Sequence, residues 1–249
     1  MRKILIFTFI FFGATLAFAQ EIIIAVAANV QFAMQALEKA YEQNTGFAIK
    51  TIISSSGKLT AQIQNGAPFD VFLSADMKYP DTLFAAGFAE AKPRVYAYGS
   101  LVLWTMKEID LSGGTKLLLE DKIQKIAIAN PKTAPYGAEA IKVLKYYQRY
   151  ENVMPKLVYG ESIAQVNQYI FSRAADVGIT AKSVVLSPEM RGKGKWLEID
   201  PATYSPIAQG AVILKHGAKN HPQAARAFYD FLFSDTARKI LKDYGYLLP

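Results

Sequence analysis

The chain has 249 residues and a formal charge of +7; 51% of its residues are hydrophobic and 20% charged, with two His and no Cys. The missing Cys excludes disulfides, thiolate zinc sites, Fe–S clusters, a cysteine nucleophile and a Cys-linked lipid anchor. His216 and His221 lie close together near the C-terminus, so a dispersed His-rich metal centre is not expected and acid–base catalysis by His is poorly supplied. The apolar content is ample for a packed core, and the length is that of one large domain or two small ones.

Arg2 and Lys3 precede an almost wholly apolar run over residues 4–12, and Ala17-Phe18-Ala19 supplies the small residues of a cleavage site. This is the layout of a cleavable signal peptide over residues 1–19, its apolar run too short for a membrane span of about 20 residues. The expected destination is the periplasm. The basic residues are spread along the chain, and the densest group, Arg191-Gly192-Lys193-Gly194-Lys195, reads as a solvated turn. No nucleic-acid partner is expected of such a chain.

From residue 22 the pattern alternates strand and helix. Residues 22–27 form a continuous apolar run, as expected of a strand buried on both faces. Val30, Ala33, Met34, Leu37, Ala40 and Tyr41 recur at helical spacing up to Gly46, a good stop. A strand over 47–53, a short helix over 58–64, a strand over 69–73 and a helix over 79–86 follow. Residues 95–104 read as one long strand with Tyr96, Tyr98 and Trp104 on a core face. Strands are expected at 126–129, 157–159, 177–180 and 207–214, and helices at 137–150, 163–171, 223–233 and 236–244. The alternation predicts an α/β fold of mostly parallel sheets with helices on both faces. A natural arrangement is two lobes, residues 20–98 with 206–249 and residues 99–205, joined by crossing strands near 96–103 and 206–213. A single six- or seven-stranded sheet fits the periodicity nearly as well.

Four strand-to-helix junctions stand out: Ala27-Ala28-Asn29, Ser54-Ser55-Ser56-Gly57, the run from Asn130 to Gly137, and Gly160-Glu161-Ser162-Ile163. Such junctions are the usual ligand positions of α/β folds. Each leaves free N–H groups at a helix N-terminus, which attracts anions. Capping explains any single Ser or Asn here; four junctions together argue for a site that holds an anion. Ser55 and Lys58 also form a Ser-x-x-Lys pattern, the basis of an exported serine hydrolase, but no Ser-Asp-Asn or Lys-Thr-Gly follows. Ile52 stands where a phosphate-binding Walker loop needs Gly. Asp70, Asp76 and both His are expected in caps, turns or at the surface.

The chain resembles the periplasmic molybdate-binding proteins that feed ABC importers. The resemblance is carried by Val26-Ala27-Ala28-Asn29, Ser54-Ser55-Ser56-Gly57-Lys58-Leu59, the run from Asn65 to Asp76 (NGAPFDVFLSAD), Ile128-Ala129-Asn130-Pro131, Ala134-Pro135-Tyr136-Gly137 and Tyr244-Gly245-Tyr246. It implies a type II periplasmic-binding-protein fold with two crossing strands as a hinge. A molybdate or tungstate oxyanion would lie in the cleft between two lobes, with sulfate or another tetrahedral oxyanion as the alternative cargo. By position, Asn29 would donate its N–H and carboxamide, Ser56 its hydroxyl and N–H, and Tyr136 and Ile163 their N–H groups. No cofactor, direct metal ligand or catalysis is implied. The implied partners are a permease and ATPase, with the chain itself a monomer. Ala28 and Ala181 stand where some members carry hydroxyl side chains, so fewer donors are expected.

Overall fold

The computed structural model describes residues 21–249; the signal-peptide reading over 1–19 lies outside the described residues. The first sheet contains β1 (Ile22–Ala27), β2 (Ile49–Ser54), β3 (Val71–Leu73), β4 (Arg94–Gly99) and β10 (Ile207–Ile213), in the order β2-β1-β3-β10-β4. The second contains β5 (Leu101–Thr105), β6 (Ile126–Ala129), β7 (Leu157–Gly160), β8 (Val177–Ala181) and β9 (Lys195–Glu198), in the order β7-β6-β8-β5-β9. In each, three parallel strands are followed by one antiparallel strand, β10 or β5, and an edge strand antiparallel to that one. The sheets are therefore mixed, with one strand of each reversed. The molecule is a two-lobed α/β protein.

The helices of the first lobe are α1 (Gln31–Thr45), α2 (Ser56–Gln64), α3 (Lys78–Ala85), α8 (Lys215–Asn220), α9 (Pro222–Leu232) and α10 (Asp235–Asp243). Ile22, Ile24 and Val26 of β1 pack with α1, α9 and α10. Ile23 and Ala25 face the opposite layer with Leu59 and Ile63 of α2 and Leu83 of α3. Two-residue alternation in a run apolar on both faces thus builds both layers at once. The second sheet is covered by α4 (Pro135–Tyr146), α5 (Tyr150–Val153), α6 (Ile163–Phe171) and α7 (Lys182–Val185). Among the described residues no helix is long and apolar enough to cross a membrane.

Four departures from the sequence reading have physical causes. The expected long strand over 95–104 is two strands in two sheets, divided at Ser100; the run is largely apolar and at least partly buried on both sides of Ser100, so hydrophobicity does not mark the change. The return strand β10 lies wholly in the first sheet, so neither sheet shares a strand with the other. The expected helix over 137–150 stops at Tyr146, and Gln148 adopts a left-handed φ of 55°. Lys195, expected in a solvated turn, opens the exposed edge strand β9, while Gly192 and Gly194 make the turn with φ of 75° and 72°.

The two His and Asp70 are also placed differently from the surface and turn roles expected. His216 lies on α8 and His221 caps α9, and both are held against the fully buried Asp70 carboxylate. Only Asp76 keeps a capping role, accepting from Tyr79 N–H at the start of α3 (3.3 Å).

Candidate oxyanion site between the lobes

The parallel strands β1 and β2 of one lobe and β6 and β7 of the other lead through short turns into helices that converge on one small cavity. It is lined by Ala27, Ala28, Asn29, Ser55, Ser56, Ala75, Ala134, Pro135, Tyr136 and Ile163, with an empty volume of about 190 Å³. All four site residues expected from sequence are brought together here, two from each lobe. No lining residue carries a formal charge.

Helix starts decide what each residue offers. The helices α2 and α4 begin at Ser56 and Pro135, two residues earlier than the periodicity predicts. Ser56, Tyr136 and Ile163 therefore stand in first turns, where N–H groups have no intrahelical acceptor. Asn29 does so in the 3-10 turn Ala28–Val30 that runs into α1. Pro135 at the start of α4 fits, having no N–H to satisfy.

Ser56 is 1% exposed. Its Oγ accepts from Ala75 N–H (3.0 Å), which leaves the hydroxyl hydrogen for the cavity. The Asn29 carboxamide is turned elsewhere. Its Nδ2 donates to Gln209 Oε1 (2.7 Å) and the Tyr246 hydroxyl (3.3 Å). With both amide hydrogens committed, Asn29 presents its backbone N–H and not the side-chain donor expected from sequence.

Ser55, expected in the anion-holding junction and in the hydrolase alternative but not among the four site residues, adds a further group. It is 3% exposed and stands at the α2 N-cap without making a capping bond. Its Oγ is the one buried side-chain polar atom without a hydrogen-bond partner among the described residues. An orphaned buried hydroxyl is unfavourable by about 1–3 kcal/mol, which a ligand accepting its hydrogen would relieve. The Ser55/Lys58 dyad is not formed. Lys58 is instead ion-paired with Glu161 of the other lobe, and no base hydrogen-bonds Ser55 Oγ.

Behind the cavity a buried network crosses between the lobes. Gln209 Oε1 accepts from the Tyr96 hydroxyl (2.9 Å) as well as from Asn29, and Gln209 Nε2 donates to the Tyr136 hydroxyl (3.2 Å). The Asn29 carbonyl accepts from the Tyr246 hydroxyl and from Ser183 Oγ, both at 2.8 Å. Gly57 N–H donates to Thr133 O (2.9 Å) at the mouth. The lobes are thus closed on one another. Burial pushes the Tyr246 phenol up to about 12 and those of Tyr96 and Tyr136 well above the ordinary tyrosine value. All three stay neutral and place no negative charge beside an anion. Gln209 and Ser183 were not singled out from sequence, and Tyr246 only as part of the Tyr244-Gly245-Tyr246 motif. The available signal was Gln209, a polar residue inside the apolar strand Ile207–Ile213.

The sequence profile of the bacterial extracellular solute-binding proteins matches residues 22–247. The chain belongs to this family. Among family relatives, it is 40% identical over 234 residues to the molybdate-binding protein ModA of Azotobacter vinelandii, covering 94% of this chain and 92% of that one. Identity to the ModA of Rhodobacter capsulatus is 39%, covering 93% and 90%. The solved structure of the Azotobacter vinelandii periplasmic molybdate-binding protein superposes with a TM-score of 0.86 at 32% identity, covering 92% of this chain and 99% of that one.

Proposed function

We propose that this family member binds molybdate, and the similarly shaped tungstate, in the periplasm and delivers it to the permease and ATPase of an ABC importer. The observation that carries the reading is the uncharged interlobe cavity. It is lined by Asn29, Ser55, Ser56, Tyr136 and Ile163, which stand at helix starts whose N–H groups lack intrahelical acceptors, in a chain 40% identical to a molybdate-binding protein. A hydrogen bond to a charged acceptor contributes about 1.5–3 kcal/mol, and helix N-termini add about 0.3–1 kcal/mol each. Several such donors hold a dianion without a cationic side chain, and without metal or cofactor. Neutral donors also form no covalent bond to the cargo, which suits a carrier that must release it.

The Arg2-Lys3, residue 4–12 and Ala17-Phe18-Ala19 pattern supports export. The missing Ser55–Lys58 contact supports a role in binding rather than hydrolysis. We take the carrier to act as a monomer and to have no nucleic-acid partner.

Calorimetric titration with sodium molybdate, followed by competition with sulfate, tests the reading. One-to-one binding that sulfate displaces only at large excess is the expected result. Saturating ligand, at about 100 times Kd, should stabilise the fold by about 2.7 kcal/mol. No heat and no thermal shift at millimolar molybdate would reject it; preferential sulfate binding would reassign the cargo.

A further inference from the structure

One cluster of metal-type donors, Asp70, His216 and His221, stands apart from the interlobe cavity. Asp70 immediately precedes β3, at the opposite end of the strand from the cavity residue Ala75. The Asp70 carboxylate is fully buried; the two imidazoles are 34% and 26% exposed. Asp70 Oδ2 accepts from Ile23 N–H (2.7 Å). Oδ1 faces Nδ1 of His216 at 3.0 Å and Nδ1 of His221 at 2.9 Å.

We propose that Asp70 Oδ1, His216 Nδ1 and His221 Nδ1 form a binding site for a divalent transition-metal ion of the zinc type. The donor set is two imidazoles and one carboxylate, which suits a borderline ion such as Zn²⁺ and not Ca²⁺ or Mg²⁺, which prefer all-oxygen shells. The contacts on Oδ1 need widen by only a few tenths of an ångström to become edges of a tetrahedron with bonds of about 2.0–2.1 Å. Each bound imidazole would carry its hydrogen on Nε2 instead of Nδ1. The partly exposed rings give the ion an approach from solvent and leave the fourth position to water.

Charge points the same way. Buried carboxylates are normally paired with a cation or bound to a metal. The partners of this one are a backbone N–H and two imidazoles, with no lysine or arginine among them. The triad is also preorganised. Leu214 N–H donates to Asp70 O (2.9 Å) and Asp70 N–H to Ile23 O (2.8 Å). Gly217 packs so closely on the Asp70 backbone that a β-carbon would collide with it. The Ile23 N–H on Oδ2 supplies the outer hydrogen bond that orients a ligating carboxylate. A bound ion would tie the start of β3 to α8 and α9, far from the oxyanion donors.

The test is calorimetric titration of the EDTA-treated intact protein with ZnCl₂, together with the visible absorption of the Co²⁺-loaded form. Expected are one ion per chain, a raised Tm and the intense absorption of tetrahedral cobalt. His216→Gln and His221→Gln, at partly exposed positions, should each weaken Zn²⁺ binding by at least the about 10–100-fold expected for loss of an outer-shell partner. Both should leave molybdate titration unchanged. No one-to-one binding below about 100 μM Zn²⁺ (about −5.5 kcal/mol), or binding indifferent to both variants, overturns the proposal. Failure there leaves the oxyanion reading intact, because the two titrations use different ions and different residues.

Discussion

The two adjacent serines at the start of α2 do different work. Ser56 anchors the turn after β3 by accepting from Ala75 N–H while keeping its own hydrogen; Ser55 makes no bond at all. Removing either hydroxyl takes one donor from a charged ligand. Ser56→Ala should therefore weaken molybdate binding by about 1.5–3 kcal/mol, one to two decades in Kd. It should also lower the Tm of the free protein, because Ala75 N–H loses its acceptor. Ser55→Ala should weaken binding by a similar amount, yet leave the Tm of the free protein level or raised, because it deletes an unsatisfied group. Parallel calorimetry and thermal melts separate the two. An unchanged Kd for Ser55→Ala would remove that hydroxyl from the site. The place of Ser56 at a helix start beside the cavity was legible in sequence through helix-terminus logic. The unpartnered hydroxyl of Ser55 was not, since a missing partner is a property of three-dimensional packing.

Tyr246 gives a pH prediction at the same scale. Its phenol is raised from 10 to about 12, first by burial, so the folded state holds this proton more tightly than the unfolded chain does. The resulting stability is fully present below pH 10 and is lost as pH rises through 12. Two units correspond to about 3 kcal/mol. Tyr96 and Tyr136 shift the same way and steepen the fall. Denaturant titrations should show level behaviour from these phenols up to about pH 10 and a decline above it. A stability curve still flat at pH 12 would contradict the burial of this trio.

At the scale of elements, the site depends on how closely helix starts approach strand ends. Gly137, in the first turn of α4, lies so close to the Ala129 carbonyl at the end of β6 that a β-carbon would collide with rigid backbone. Gly137→Ala must push the start of α4 away from the sheet. Overpacking of this kind is unfavourable by about 1–3 kcal/mol, and here it also displaces Tyr136 N–H from the cavity. The expected result is a lowered Tm together with weakened molybdate binding, read by thermal melt and calorimetry. Full affinity in a folded variant would mean that the position of α4 is not critical. Most elements were legible because buried parallel strands read as apolar runs and their helices as 3.6-residue repeats. The edge strand β9 was not, because all four of its residues are exposed and its Lys-Trp-Leu-Glu sequence shows neither a buried apolar run nor a two-residue alternation. Helix starts were read two residues late at α2 and α4, because Ser56-Gly57 and Pro135 carry no apolar periodicity.

At the scale of the whole molecule, the sheet change at Ser100 was illegible for the same reason that the core was legible: apolar continuity reports burial, not sheet membership. Closure instead rests on polar groups. The Tyr136 hydroxyl, from the second lobe, accepts from Gln209 Nε2 of the first (3.2 Å), inside a fully buried network that also holds Asn29. Tyr136→Phe keeps the backbone N–H and removes the hydroxyl, with its bond from Gln209 and its hydrogen-bonding contact with Asn29, both residues of the first lobe. In the closed form the Gln209 amide is then left buried and unsatisfied, a penalty of about 1–3 kcal/mol. In an open form water can take the place of the hydroxyl. The substitution therefore shifts the population towards open, and a ligand that binds the closed state must supply the difference. Molybdate affinity should fall about tenfold to a hundredfold, the free protein should melt near its original temperature, and small-angle scattering of the free protein should report a larger radius. The molybdate-saturated form should return to the compact one. An affinity loss accompanied by an equal loss of free-protein stability would instead mark Tyr136 as a core residue with no part in closure.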